Sequence, residues 1–528
     1  MGTTVITSIM LVIFFAVMIS VGLYCRKHST NVDGFVLGGR SVGPWLTAFA
    51  YGTSYFSAVI FVGYAGQFGW AFGMASTWIG LGNAFIGSLL AWVILGRRTR
   101  VMTQHLESKT MPDFFEKRYM SKGLKIAASF IVFIFLIPYT ASLYNGLSSL
   151  FETTFNVPYW VVILVMAVLT GVYVVFGGYM ATAINDFIQG IIMLVGIVAV
   201  IGSVLANKGG FMEAYNSLAS IPSETPGTFA SFLGPNPVFL LIVVLLTSLG
   251  TWGLPQMVGK FYSIKNEDSI RKGTIISTIF AIIVAGGCYF LGGFGRLFDS
   301  EALYVNGKLM NDRIVPSMLQ NLEPIIVAVV IVLVLAASMS TLSSLVLTSS
   351  STLTLDVISP ACEKKKSGSM TEKKKLLTLR IFIVFFIAVS AAIAIIKDMF
   401  PGFTFIAQMM GVSWGALAGA FLAPFIYGLY WKGTTKIAVA TCFVFGTGIE
   451  IIQLLKDFGV LAIAPDGFVG FVFTNSLYSG VFAMVGGLIL VPIVSLFTKK
   501  LEKKDLDSMF SCYNKKVTVD VTDSLGGK

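Results

Sequence analysis

Along this chain apolar residues come in repeated runs of about 20 positions, the length an α-helix needs to cross the hydrocarbon of a bilayer. Thirteen runs are expected to span: 5–24, 42–68, a third ending at Gly96, 126–150, 159–176, 186–206, 238–261, 274–293, 324–351, 376–396, 403–427, 437–455 and 476–497. The pattern therefore predicts an all-α polytopic membrane protein with a transmembrane domain over 1–497 and a soluble tail over 498–528. The first run lacks a cationic stretch before it and a small-residue cleavage site after it, so it is read as a helix rather than a removed signal peptide. In the basic loop after the third run, DFFEKRY (residues 113–119) is predicted as a short surface helix. Gly177 and Gly178 are expected to make a tight turn, after which Asp186 opens the sixth run.

Two runs break the apolar pattern. The second, SVGPWLTAFAYGTSYFSA from Ser41, is studded with glycine and hydroxyls, and the seventh carries TSLGTWGLP (residues 247–255). They stand five runs apart, as in an inverted five-plus-five repeat that holds solute and ion at the midplane where its helices unwind. Glycine-rich spans also occur unbroken, so this spacing stands as one reading. The ninth run is purely apolar over 325–337 and then delivers Ser338, Ser340, Thr341, Ser343 and Ser344 within AASMSTLSS. Hydroxyls bonded to the carbonyl one turn back, in a small-residue helix contact, are one account of that cluster. Oxygens offered by Ser340 and Thr341 to a dehydrated hard cation are the other.

Composition excludes several classes. At 55% hydrophobic and 12% charged, with a mean hydropathy of +0.83, the chain is not a soluble protein. The net charge of +11 does not call for nucleic acid. Of 37 Lys and Arg, all but six (Lys208, Arg296, Lys308, Arg313, Lys397, Lys456) fall on one side of the predicted topology. That asymmetry puts the basic side in the cytoplasm, with the N-terminus outside and the C-terminus inside. Cys25, Cys288, Cys362, Cys442 and Cys512 are scattered and imply neither a disulfide framework nor a zinc site. An enzyme is disfavoured: His28 and His105 lie in loops without HExxH, and no Gly-x-Ser-x-Gly context occurs. A channel lacks its ring of charge or carbonyl filter. A transporter-like sensor would need a signalling partner that a 31-residue tail does not supply.

LGGRSVGPWLTAFAYGTSYFSA (37–58), GGYMATAINDFIQGIIM (177–193) and LAASMSTLSS (335–344) resemble, in order and spacing, the signature segments of the sodium:solute symporter family. The likeness to its bacterial sodium/proline and sodium/pantothenate members runs from about residue 4 to 497. It implies a LeuT-like fold and, without any further cofactor, Na+ as the coupling ion for a small organic solute. One plasma-membrane chain suffices. By motif match, sodium would be held by the carbonyls of Thr53, Phe56 and Ala337 and the side-chain oxygens of Ser340 and Thr341. Asp186 matches an acidic residue implicated in the inward ion path, and is equally an N-cap or first-turn charge. Arg40 matches the GGR motif and closes an inner gate or simply anchors the basic face. Gln189 packs or bonds the preceding turn.

Solute identity is the open point. The proline symporters carry an aspartate where this chain has Tyr55. The 250–255 and 53–58 segments look closer to the pantothenate type, which favours a carboxylate-bearing solute such as pantothenate or a monocarboxylate, with an amino acid such as proline as the alternative. Free amides at a broken helix suit a carboxylate. Ser54, Tyr55, Ser57, Thr251, Trp252 and Gln256 are the candidates to line the site, with Tyr139 and Asn145 closing it. Helix packing is the competing account for each. Proton coupling would ask for a titratable group at the ion site, where the ninth run has hydroxyls.

Overall fold

The computed structural model describes residues 3–155, 158–305, 307–319, 322–365, 370–399 and 406–514. Four helical pieces that build its centre begin with proline in the first turn, at Pro44, Pro237, Pro255 and Pro324. Proline has no N–H to lose there, and its fixed φ already suits a helix. Among the described residues the strands are one tiny hairpin, Tyr304–Val305 antiparallel to Lys308–Leu309. It leaves the all-α architecture intact: Gly307, at φ 75°, lets the loop before the ninth span fold back on itself.

Ten described helices are long and apolar enough to cross a membrane, or eleven when the bent pair Pro237–Gly253 and Pro255–Tyr262 counts as one span. The sequence predicts thirteen. Two continuous helices account for the difference. Tyr159–Ala206, 48 residues, absorbs the fifth and sixth runs, and Val59–His105, 47 residues, joins the second half of the second run to the third. The expected turn near Gly178 is a kink (φ 55°, ψ −148°) inside that long helix. A Cβ there would stand 2.7 Å from the Phe35 carbonyl oxygen, so the site takes only glycine. Asp186 therefore sits two turns beyond the kink, deep in a helix, and does not cap one. The start of the eleventh run, 403–405, lies outside the described residues.

The ninth span, Pro324–Thr352, is the axis of the molecule. Every residue from Val330 to Leu347 is buried, which is what a helix apolar on all sides requires. It packs on Tyr159–Ala206, Lys122–Phe155, Thr3–Cys25, Glu372–Met399 and the short helix Pro44–Tyr55. The first helix instead exposes Val5, Ile9, Val12 and Ile13 to the lipid. Ile406–Tyr430, Lys436–Asp457 and Ser476–Phe497 pack chiefly on one another.

DFFEKRY does form a helix, Met111–Tyr119, but it is not on the surface: Phe114, Phe115, Arg118 and Tyr119 are buried. The Arg118 guanidinium, polar enough to read as solvated, donates to the carbonyls of Gly428 (2.8 Å) and Trp431 (3.0 Å) at the end of Ile406–Tyr430. The Tyr119 hydroxyl donates to the Pro424 carbonyl (2.5 Å). Carbonyls left free at a helix C-terminus thus draw this segment inward. The described part of the tail docks nearby through Lys432–Asp507 (2.6 Å) and the Tyr513 hydroxyl on Leu429 (2.9 Å).

Candidate functional site

Helix Pro44–Tyr55 stops without a proline or a side-chain cap: Phe56 is extended (φ −94°, ψ 123°), and the chain resumes with the π-type turns of Val59–Tyr64. Its last helical bond runs from the Phe56 amide to the Gly52 carbonyl (3.2 Å). The carbonyls freed at this break turn to the ninth span. Ser340 Oγ lies 3.2 Å from the Thr53 oxygen and 3.1 Å from that of Ala337. Thr341 Oγ1 lies 3.3 Å from the oxygens of Thr53 and Phe56 and 3.1 Å from Ala337. The five oxygens expected from the motif therefore meet at one buried point.

These oxygens fit a monovalent hard cation. Each hydroxyl has one proton, yet Thr341 alone faces three carbonyls, so acceptors are in surplus and a positive charge is what would relieve them. An ion about 2.4 Å from each oxygen of an octahedral shell leaves neighbouring oxygens about 3.4 Å apart, close to the separations observed. Among the described residues no three His, Cys, Asp or Glu side chains gather to hold a metal. Ser338 and Ser343 bond back to the carbonyls of Val334 (2.8 Å) and Ser340 (2.9 Å), as ordinary helical hydroxyls do. Ser344 instead reaches across to Ser54 (2.8 Å) and accepts from Lys260 Nζ (2.9 Å).

Asp186 is fully buried and pairs with Lys260 (3.5 Å). Gln189, one turn on, donates to the Met18 sulfur (3.3 Å). Lys260, Ser344, Gln256 and Tyr179 line a cleft of about 50 Å³ together with Lys109, Thr110 and Met111 of the basic side. Arg40 lies near that cleft and ties neighbouring elements together. Its guanidinium donates to the carbonyls of Ser108 (2.5 Å) and Tyr262 (3.3 Å), tying the entrance of the second span to the loop after the third and to the end of the seventh. Burial pulls the Arg40 pKa below the ordinary arginine value, with Asp33, Tyr262, Asp113 and Glu107 pulling the other way. A two-way backbone pairing of Val42 with Ser263 and Lys265 (both 3.0 Å) joins the same ends.

The solute candidates divide. The Ser57 hydroxyl, Tyr139 OH and Trp414 Nε1 are all buried, and Tyr139 OH interacts with both of the others, so the three polar groups face one another. The Trp414 ring stands 5.9 Å from Tyr139 and 6.1 Å from Tyr55. These polar groups gather in an aromatic corner beside the break. Tyr55 itself is engaged: its hydroxyl donates to the Thr247 carbonyl. A narrow crevice, with room for about one water, adjoins it, lined by Tyr51, Asn83 and Ser277. Thr251 bonds back to Ser248 (2.7 Å) and Trp252 donates to Ile86 (3.0 Å), and neither lines either cavity. Gln256, with both amide atoms unpartnered, lies on the basic-side cleft instead. The Asn145 side chain lies outside the described residues.

Sequence reasoning passes over Lys260, Trp414 and Asn83. Each carries a signal: a cation or amide inside an apolar run marks function by default, and tryptophan normally sits at the membrane interface rather than mid-span.

The sequence matches the model of the Sodium:solute symporter family over residues 35–442. The chain belongs to that family. The symporter is 29% identical over 504 residues to Sodium/proline symporter 2 of Staphylococcus saprophyticus, covering 94% of this chain and 93% of the relative. It is 28% identical over 514 residues to a sodium/proline symporter of Staphylococcus aureus, with the same coverage. Its fold is that of a solved Na+-coupled sialic acid symporter in a substrate-bound, outward-open state: TM-score 0.76 at 18% identity, covering 94% of this chain and 99% of the other.

Proposed function

We propose that this symporter couples inward sodium movement to the uptake of a small carboxylate-bearing solute by alternating access, as a plasma-membrane protein whose single chain suffices. The observation that carries the reading is the convergence of the Thr53, Phe56 and Ala337 carbonyls with Ser340 and Thr341. Sodium bound there draws the broken second span onto the ninth and so shapes the adjoining corner of Ser57, Tyr139 and Trp414 for solute. Opening toward the cleft lined by Lys260 and Ser344 then releases both, with Asp186 on the ion's way out. Splitting the two longest helices, at Gly178 and at Gly73 (φ 60°, ψ −137°), restores thirteen spans around the inverted repeat, with the N-terminus outside and residues 498–528 in the cytoplasm. Coupling of this kind is reciprocal: solute tightens sodium by the factor by which sodium tightens solute.

The curated relatives are named for proline, which favours an amino acid as the second reading. Tyr55 argues the other way. It presents an aromatic wall, with its hydroxyl already spent on Thr247, at a position where the proline-type resemblance calls for a carboxylate. Tracer uptake into proteoliposomes separates these readings, with an inward sodium gradient against a potassium control and proline, pantothenate, short monocarboxylates and a sugar as solutes. Sodium-driven accumulation of pantothenate or a monocarboxylate is the expected result, and accumulation of proline replaces the solute assignment. Uptake of every solute indifferent to sodium defeats the symport reading itself.

A further inference from the structure

An ammonium group inside a membrane protein is costly unless it is paired, and Lys260 is paired loosely. Its side chain is 4% exposed and that of Asp186 0%. Lys260 Nζ has three protons to give. It makes one bond of ordinary length, to Ser344 Oγ at 2.9 Å, and a stretched one to Asp186 Oδ2 at 3.5 Å, with the Tyr179 ring 5.4 Å away. The second Asp186 oxygen has no hydrogen-bond partner. Slack therefore exists on both sides of the pair.

The ammonium is also close to the ion site. Ser344 lies one turn from Ser340 on the same helix, about 6 Å along its axis, and its hydroxyl contacts that of Ser54, the neighbour of Thr53. A sodium ion at Ser340 and Thr341 and the ammonium at Ser344 are like charges separated by roughly one helical turn in a poorly screening interior, where they repel appreciably. Asp186 offsets that repulsion, and more so the closer the ammonium moves to it.

We propose that Lys260 is a built-in cation that sets how tightly the symporter holds its sodium. With the ion bound, the ammonium swings from Ser344 toward Asp186 and completes the loose pair. With the ion gone, it returns to Ser344 and through Ser54 steadies the broken end of the second span. The resident charge keeps the oxygen cage from trapping its ion, and it stands in the wall of the cleft through which the ion leaves. This inference rests on the sodium reading of the site above.

The test is equilibrium binding of ²²Na⁺ to the purified protein in proteoliposomes, which needs no knowledge of the solute. Lys260→Gln, leaving Asp186 uncompensated, lowers the sodium concentration for half-saturation about tenfold. Asp186→Asn raises it, Lys260→Arg keeps it near the wild-type value, and Lys260→Gln with Asp186→Asn returns it to within about threefold of wild type. A merely structural pair would reduce the number of binding-competent molecules and show no cancellation in the double variant. Half-saturation unchanged or weakened in monodisperse Lys260→Gln overturns the proposal. Where that variant does not fold, Lys260→Met and the Asp186→Asn arm decide in the same way. Wild-type protein with no saturable sodium binding overturns the sodium reading and this inference with it, an outcome distinct from any change confined to Lys260.

Discussion

The second and seventh spans are both broken, but for different reasons. The seventh breaks at Pro255, which cannot donate to the preceding turn. Leu254 goes extended (φ −84°, ψ 120°), and its two halves meet at 47°. The turn then repairs itself, with the Leu254 amide on the Thr251 carbonyl (3.2 Å) and the Met257 and Val258 amides on the Leu254 carbonyl (3.1 and 3.0 Å). No proline breaks the second span, and its freed carbonyls are met by hydroxyls of another helix that cannot satisfy them all. A proline break is explained by covalent chemistry alone. A break without one has to be held by something outside the helix, and here that is the ninth span.

The contrast can be broken from either side. Removing both hydroxyls, Ser340→Ala with Thr341→Ala, deletes two ligands and is expected to raise the sodium concentration for half-maximal uptake by at least about 100-fold. A smaller change would mean that the second-span carbonyls serve something other than the ion. At the seventh span, a Cβ on Gly253 would lie 2.9 Å from the Ala418 Cα and the Leu422 amide nitrogen. Gly253→Ala should therefore cost about 1–3 kcal/mol of stability, read as a lowered thermal midpoint in detergent, with sodium half-saturation in the surviving protein unchanged. Pro255→Ala should cost only about 0.4–1 kcal/mol, through the freer unfolded chain, and leave transport near normal. A large loss of sodium affinity in either seventh-span variant would erase the distinction. Smallest of all, Ser338→Ala removes a back-bonded hydroxyl and should shift sodium half-saturation by less than about twofold.

Much of this was legible in the sequence because the bilayer restricts the choices: apolar runs of spanning length, proline and glycine where helices break, and hydroxyls at i and i+1 on the ninth span. The oxygens named for the proposed ion site lie within two short motifs, and the structure brings those motifs together. The corner proposed for the solute was legible only in part. Ser57 and Tyr139 were visible near the second break, but Trp414 comes from the eleventh span, where only tertiary packing places it against Tyr55. Thr251 and Trp252 sit in a motif that looks like a site, yet their polar atoms are spent on neighbouring carbonyls. The signal of Lys260 is offset by its place near the end of a span, where a lysine is also expected to snorkel out to water.

Arg118 bears on how the protein comes apart. The basic stretch between the third and fourth spans reads as an accessible linker, the kind a protease cuts first. Its guanidinium is instead enclosed against Gly428 and Trp431, and Tyr119 is locked to Pro424. The segment therefore belongs to the same cooperative unit as the eleventh span. Its amides should exchange hydrogen only when that span lets go, and trypsin should spare the Arg118–Tyr119 bond for as long as the protein is folded.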